Sequence, residues 1–218
     1  RLGSLLSGFG MFDEGKTMGL SAYGKPIFYD NVKKFINFKN NTIHINNGDL
    51  FDELSKDIKN RDKFEVRANI AATFQKILEE MALHYVNHLY DITKSKNLCI
   101  SGGVGLNCVM NAKLLEKSKF KNIFIFPAAG DNGISFGAAY FVAHSILKLP
   151  RTRQLNNSYF GRSYTKNETM ETLNKYSSKI QYKEYNDDKI TTIASKLLIK
   201  DEVIMWFQGG SEFGPRAL

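Results

Sequence analysis

The chain has 218 residues, 43% hydrophobic and 12% aromatic, enough apolar material for one good core and part of a second. Its net charge of +8 comes from Lys and Arg scattered beside Asn, Asp and Glu, so a solvated surface is favoured over a nucleic-acid face, and the same charge suits anionic small substrates. No apolar run approaches a membrane span and no signal peptide is visible.

The chain opens at Arg1 and not at Met, and reads as a piece of a longer polypeptide. Arg1–Phe12 reads as the tail of a helix or a turn-rich approach, its small residues and glycines suited to close packing. Glu14–Gly24 (EGKTMGLSAYG) follows, with Lys16 set among small residues. A lysine there is either solvated or a point charge facing an anion. Thr42–Ile45 reads as a short strand leaving through Asn46-Asn47-Gly48, and Asp49–Lys59 as a short helix carrying Leu50, Phe51 and Leu54. Phe64–Thr93 is the longest helical pattern, with Ala68, Ala71, Phe74, Leu78, Met81, Tyr85, Leu89 and Ile92 on one stripe facing a sheet. It carries His84 and His88 at a spacing that can bind metal, but no third ligand is near in sequence and the structural reading is favoured.

Asn97–Ala143 organises the chain. Leu98–Ser101 reads as a strand, broken by Gly102-Gly103, with a helix from about Val104 to Lys117. Asn122–Phe126 reads as a second strand, apolar almost throughout as a strand covered on both faces should be. Pro127 stops it, Gly130 turns the chain, and Asp131 stands at the N-cap of the next helix. Two glycine turns thus lie at the C-terminal ends of neighbouring strands, where α/β sheets bind ligands. Gly102 and Gly103 would let backbone approach a nucleotide closely. Asn107 would reach the crevice from the first helix, and Asp131 would bring a carboxylate to it. The plainer readings are a tight turn for the glycines, a satisfied loop for Asn107 and an ordinary N-cap for Asp131. Gly103–Gly105 alone is too weak a signal for a dinucleotide fold. Cys99, in a strand read as buried, and Cys108 form no disulfide or zinc framework, and a reducing cytoplasm fits.

After Pro150 the polar run Arg151–Ser158 marks a boundary. Beyond it come a helix over Asn167–Tyr176 capped by Thr165 or Asn167, a strand over Ile180–Tyr185, a helix to Ile199 capped by Asp187 or Asp188, and a strand over Glu202–Phe207. Arg216 closes the chain's last motif. It could bind phosphate or polarise a substrate oxygen through paired donors, or tie a loop to Glu212.

SGGVGLNCVMNAKLL and FIFPAAGDNGISFGAA, with EGKTMGLSAYG before them and WFQGGSEFGPRAL after them, resemble the O-carbamoyltransferase family that decorates antibiotics and nodulation factors. The resemblance runs over nearly the whole chain. It implies an α/β fold: the later half of an actin/Hsp70-like domain up to residue 157, then the truncated start of a carboxy-terminal carbamoyltransferase domain from 158 to 218. It implies transfer of a carbamoyl group from carbamoyl phosphate to a hydroxyl of a sugar-containing small molecule, through a carbamoyl-adenylate made with ATP. Lys16, Gly102, Gly103, Asn107, Gly130 and Asp131 would then line the nucleotide site, Asp131 would bind a divalent iron or magnesium ion, and Arg216 would act in catalysis. The family's metal-binding histidine pair belongs to an upstream segment, and is not His84 and His88. A homodimer is open; a membrane or nucleic-acid partner is not expected. Other readings are a sibling of the tRNA threonylcarbamoyl-transferring proteins, which the GPRAL motif opposes, and a nucleotide-binding module without catalysis.

Overall fold

The computed structural model describes residues 1–39, 42–46, 48–50, 52, 54, 60, 62–151 and 155–214. They form a mixed α/β chain with two compact units, Arg1–Leu147 and Lys148–Leu218.

The first unit is built on one long helix. Helices α1 (Leu2–Leu6), α2 (Glu14–Ser21) and α3 (Tyr29–Lys33) precede an antiparallel hairpin of β1 (Ile36–Lys39) and β2 (Thr42–Ile45), in which Ile36 pairs with Ile45. All three helices pack on α4 (Phe64–Thr93). The core is Leu6, Val32, Ile36, Leu50, Leu54, Ile70 and Ile77. β2 has the bounds its alternating sequence predicts. Most of the helix expected over Asp49–Lys59 lies outside the described residues, although Leu50 and Leu54 are fully buried.

α4 departs from the single stripe expected of it. Its first half is buried nearly all round, from Ala68 through Thr73, and polar Asn69, Thr73 and Gln75 are buried with it. Tyr85, Leu89 and Ile92, on the expected inner stripe, are exposed. The buried polar atoms have partners, as burial demands. Asn69 Oδ1 accepts from the Lys25 amide at 2.7 Å, and the Thr73 hydroxyl donates to the Asn69 carbonyl at 2.8 Å. The approach is tight: a Cβ at Gly24 would lie 2.0 Å from the Ala68 carbonyl oxygen, so α2 can turn back over α4 only through a glycine.

β3 (Asn97–Ile100), α5 (Cys108–Lys117) and β4 (Asn122–Ile125) make a βαβ unit, the two strands parallel and paired in register from Asn97–Asn122 to Ile100–Ile125. This corrects the expectation that the strands are covered on both faces. Leu98 is buried, but register partners Cys99 and Phe124 are both exposed on the other face. An apolar run states what a strand tolerates, and not what is packed against it. α6 (Ile134–Phe141) follows and continues into a π-helical turn, Val142–Ile146.

The second unit holds α7 (Lys166–Lys175) and α8 (Asp187–Ile199). Thr165 and Glu168 form a reciprocal capping box on α7, the side chain of each taking up the other's backbone N–H. α8 is capped by Asn186, whose Oδ1 accepts from the Lys189 amide at 3.0 Å, and not by Asp187 or Asp188, which occupy its first turn. The strands expected over Ile180–Tyr185 and Glu202–Phe207 are not formed among the described residues. Alternating apolar residues make a strand only where a ladder partner takes up the backbone groups.

Candidate functional site

The two glycine turns meet. The Gly102 amide donates to the Ala129 carbonyl at 2.8 Å, bonding the turn after β3 to the turn after β4. Gly102 has φ +101°, in the region that favours glycine, so the link depends on its lacking a Cβ. A Cβ on Gly130 would come within 3.9 Å of the Gly103 Cα. Among the described residues nothing lies within 4 Å of where a Cβ on Gly102 or on Gly103 would stand, so both glycines are uncovered by them. Beneath them Gly105 is buried, its Cβ position 3.2 Å from the Ala129 Cβ and 3.3 Å from Ile100 Cγ2.

The helix expected from about Val104 begins later. Gly103–Leu106 is a 3₁₀ turn, and Asn107 is the N-cap of α5. Asn107 Oδ1 accepts from the Met110 amide at 2.8 Å and from Gln75 Nε2 at 3.1 Å, while Asn107 Nδ2 donates to Gln75 Oε1 at 2.8 Å. The side chain therefore caps α5 and holds it on α4. Asp131 opens a 3₁₀ turn, Asp131–Gly133, for which Gly130 is the N-cap. This corrects the placing of Asp131 at the cap. Its carboxylate is exposed and has no hydrogen-bond or ion-pair partner among the described residues.

α2 reaches the same region through Met18, whose Sδ lies 3.8 Å from Cys108 Sγ. Lys16 is largely exposed and pairs with Asp13 at 2.8 Å. That hydrogen bond holds the Asp13 carboxyl below its ordinary pKa. Arg216 lies outside the described residues. The sites thus fall into three groups: Gly102, Gly103, Gly130 and Asp131 at the paired turns, Asn107 at the base of the first turn, and Lys16 paired on α2.

A cavity of about 600 Å³ opens beside this arrangement. Asn107 and Gln75 form part of its wall, with Thr17 and Glu14 from α2. The Thr17 hydroxyl donates to Ser4 Oγ at 2.9 Å, and Glu14 pairs with Arg1 at 3.7 Å. Gln75 and the cavity are what the sequence reading missed. The signal was slight: Gln75 follows Phe74 of the expected inner stripe and lies four residues after Ala71, close enough to that face to be buried with it.

Paired turns at the carboxyl ends of adjacent parallel strands stand where α/β sheets generally bind ligands. Residues 5–140 match the family described as carbamoyltransferase N-terminus, and the chain belongs to that family. It is 33% identical over 220 residues to the nodulation protein NolO of Bradyrhizobium diazoefficiens, covering 97% of this chain and 39% of that protein. It is 35% identical to an uncharacterised protein of Synechocystis, over 94% of this chain and 37% of the other. A 3'-hydroxymethylcephem-O-carbamoyltransferase of Streptomyces clavuligerus is 27% identical over 59% of this chain and 22% of its own length. These similarities place the chain among O-carbamoyltransferase relatives. The chain spans 35–39% of the length of the first three of its curated relatives.

Proposed function

We propose that the protein transfers a carbamoyl group from carbamoyl phosphate, by way of an ATP-derived carbamoyl-adenylate, to a hydroxyl of a sugar-containing small molecule. Family membership carries the transferase part of the reading, and one relative's name states O-carbamoyl transfer for that relative. The single structural observation behind the site is the Gly102–Ala129 bond, which joins two glycine turns and leaves Gly102 and Gly103 uncovered by the described residues.

In this reading carbamoyl phosphate gives up phosphate to water, the resulting carbamate displaces pyrophosphate from the α-phosphorus of ATP, and the acceptor oxygen then attacks the carbamoyl carbon: its proton passes to solvent, the bond from that carbon to the phosphate oxygen breaks, and AMP leaves. A mixed anhydride with phosphate reacts readily because its leaving group is a weak base. The chain's own part is to hold the nucleotide and to orient the reactants. Gly102 and Gly103 give the phosphates close access to backbone, with Gly130 forming the far side. Asn107 keeps α5 in place behind them, and Lys16, paired with Asp13 on α2, is assigned to the nucleotide as a positive charge. Asp131 offers one exposed carboxylate to a divalent iron or magnesium ion. Among the described residues no group of three His, Cys, Asp or Glu could hold a metal, so Asp131 is the one ligand assigned here. Arg216 would complete a carboxy-terminal site, in the domain that residues 158–218 begin. We further assign residues 1–157 to the later half of an actin/Hsp70-like domain and the protein to the cytoplasm. Among the described residues no helix is long and apolar enough to cross a membrane.

Calorimetric titration with ATP and ADP, with and without Mg²⁺, tests the site. Saturable binding is expected, with a metal-dependent component that Asp131→Ala removes. A folded chain that takes neither nucleotide would rule out the turn pair as the nucleotide site of this chain.

A further inference from the structure

Two asparagines stand at the start of α5, Asn107 at its cap and Asn111 one helical turn on, the Asn111 backbone N–H donating to the Asn107 carbonyl at 3.0 Å. Asn107 bonds sideways to Gln75 of α4. Asn111 bonds back to the glycine turn: its Nδ2 donates to the Gly105 carbonyl at 2.7 Å. A carbonyl can only accept, so the side-chain nitrogen has to take that position and leave the other to Oδ1. Among the described residues Oδ1 is enclosed and has no hydrogen-bond partner. A buried acceptor without a donor is destabilising. Asn111 thus satisfies one buried oxygen, that of Gly105, and leaves another unsatisfied, its own. The two effects on stability offset each other. What the amide supplies without an offset is a fixed position for Gly105.

That position is passed on. Three hydrogen bonds run in series from α5: Asn111 Nδ2 to the Gly105 carbonyl, the Gly105 N–H to the Gly102 carbonyl at 2.9 Å, and the Gly102 N–H to the Ala129 carbonyl at 2.8 Å. The series crosses the turn after β3 and ends in the turn after β4. Gly105 is the one buried residue of the Gly103–Leu106 turn, and Gly102 and Gly103 are exposed, so packing does not fix them. We propose that Asn111 is a positioning residue for the paired glycine turns: through Gly105 and Gly102 it sets where the first turn stands against the second. The consequence for nucleotide binding rests on the reading of these turns as the nucleotide site; the hold of Asn111 on the turns does not.

Hydrogen exchange at the Gly102 amide, followed by ¹⁵N NMR on the full chain, reads this hold directly. Asn111→Leu has nearly the same shape and no donor. It exchanges the unsatisfied Oδ1 for an unsatisfied Gly105 carbonyl, and the exposed turn is what can shift to relieve it. Exchange at Gly102 should rise at least about tenfold, while the Ile70 amide in the buried part of α4 and the urea midpoint stay in place. Asn111→Gln keeps the donor on a longer arm and should restore most of the protection. Asn111→Ala, the residue best suited to a helix, gives the same comparison if Asn111→Leu does not fold. Unchanged exchange at Gly102 would overturn the proposal, because the turn would then stand without Asn111. Faster exchange at Gly102 and Ile70 together would also overturn it, because Asn111 would then support the fold at large. ATP titrated into the same chains separates the hold from its use. A dissociation constant raised at least about tenfold in Asn111→Leu and recovered in Asn111→Gln is expected. ATP bound equally by the parent and by a variant with a loosened turn, or not bound by the parent, would remove the nucleotide from these turns and keep Asn111 as their positioning residue.

Discussion

At the scale of single residues, Asn107 serves several contacts at once. It caps α5, accepts from Gln75 and donates to Gln75, so one amide joins the helix that follows the glycine turn to the helix that carries the core. Removing an N-cap of this type costs about 1 kcal/mol, and leaving the Gln75 carbonyl oxygen without its donor costs roughly another 1 kcal/mol. Asn107→Ala should therefore lower unfolding stability by about 2 kcal/mol in urea, with the slope unchanged. Asn107→Asp keeps the acceptor for Met110 and places negative charge at a helix start, so it should cost about half as much. Equal losses in the two variants would refute the capping argument. In the sequence Asn107 was legible as a residue following the first glycine turn, but its contacts were not, because Gln75 lies far away along the chain and only the fold brings the two amides together. Gly102 and Gly130 were more legible, since a turn at a strand end is a local matter. That the two turns bond to each other depends on strand register, which local pattern does not state.

At the scale of elements, α3 is fastened to α4 by a half-buried cluster. The Tyr29 hydroxyl donates to Glu80 at 2.6 Å, Lys33 Nζ donates to the same carboxylate at 3.0 Å, and Lys76 stands 3.9 Å over the Tyr29 ring. Burial pushes the Glu80 carboxyl up, and the hydrogen bonds from Tyr29 and Lys33 outweigh it, holding the pKa below the ordinary value. The unfolded chain then binds its proton first as pH falls. The contribution of Glu80 is complete above about pH 4.3, the ordinary range for Glu, and is lost as pH drops through the lower folded value. The hydrogen bond to Glu80 raises the Tyr29 pKa; burial works against Lys33, but Glu80 raises it on balance. Their contributions therefore stand below about pH 10 and fade as pH rises through the higher folded values. Urea midpoints measured from about pH 6 down to 3 should fall less steeply for Glu80→Gln than for the parent chain. Parallel curves would show that the cluster is too well solvated to couple folding to protons. The long helix itself was plain from its period, and its inner stripe was half right. The same period ran on to Ile92, where the helix has left the core, because periodicity gives the direction of a side chain and not whether anything covers it.

At the scale of the whole chain, burial is concentrated in one place. The core residues all lie within Arg1–Leu147, and along α4 the run from Ala68 to Thr73 is buried almost without interruption. In Lys148–Leu218, Gly210 is the one buried residue among those described, and α7 and α8 bury none. Caps and side-chain hydrogen bonds hold those helices locally, by the Thr165–Glu168 box and by Asn186, and such terms are each about 1 kcal/mol. Hydrogen bonds inside a buried helix open only when the surrounding core opens, whereas those of an exposed helix open by local fraying. Native-state hydrogen exchange should consequently divide the chain along this line. Amides of residues 68–77 should exchange at least about 100-fold more slowly than those of residues 187–199, which is ~3 kcal/mol of opening free energy. Comparable protection in both segments would mean that α8 is held by more than its caps, and that the hydrophobic residues exposed along it, Leu198 and Ile199, are covered in solution.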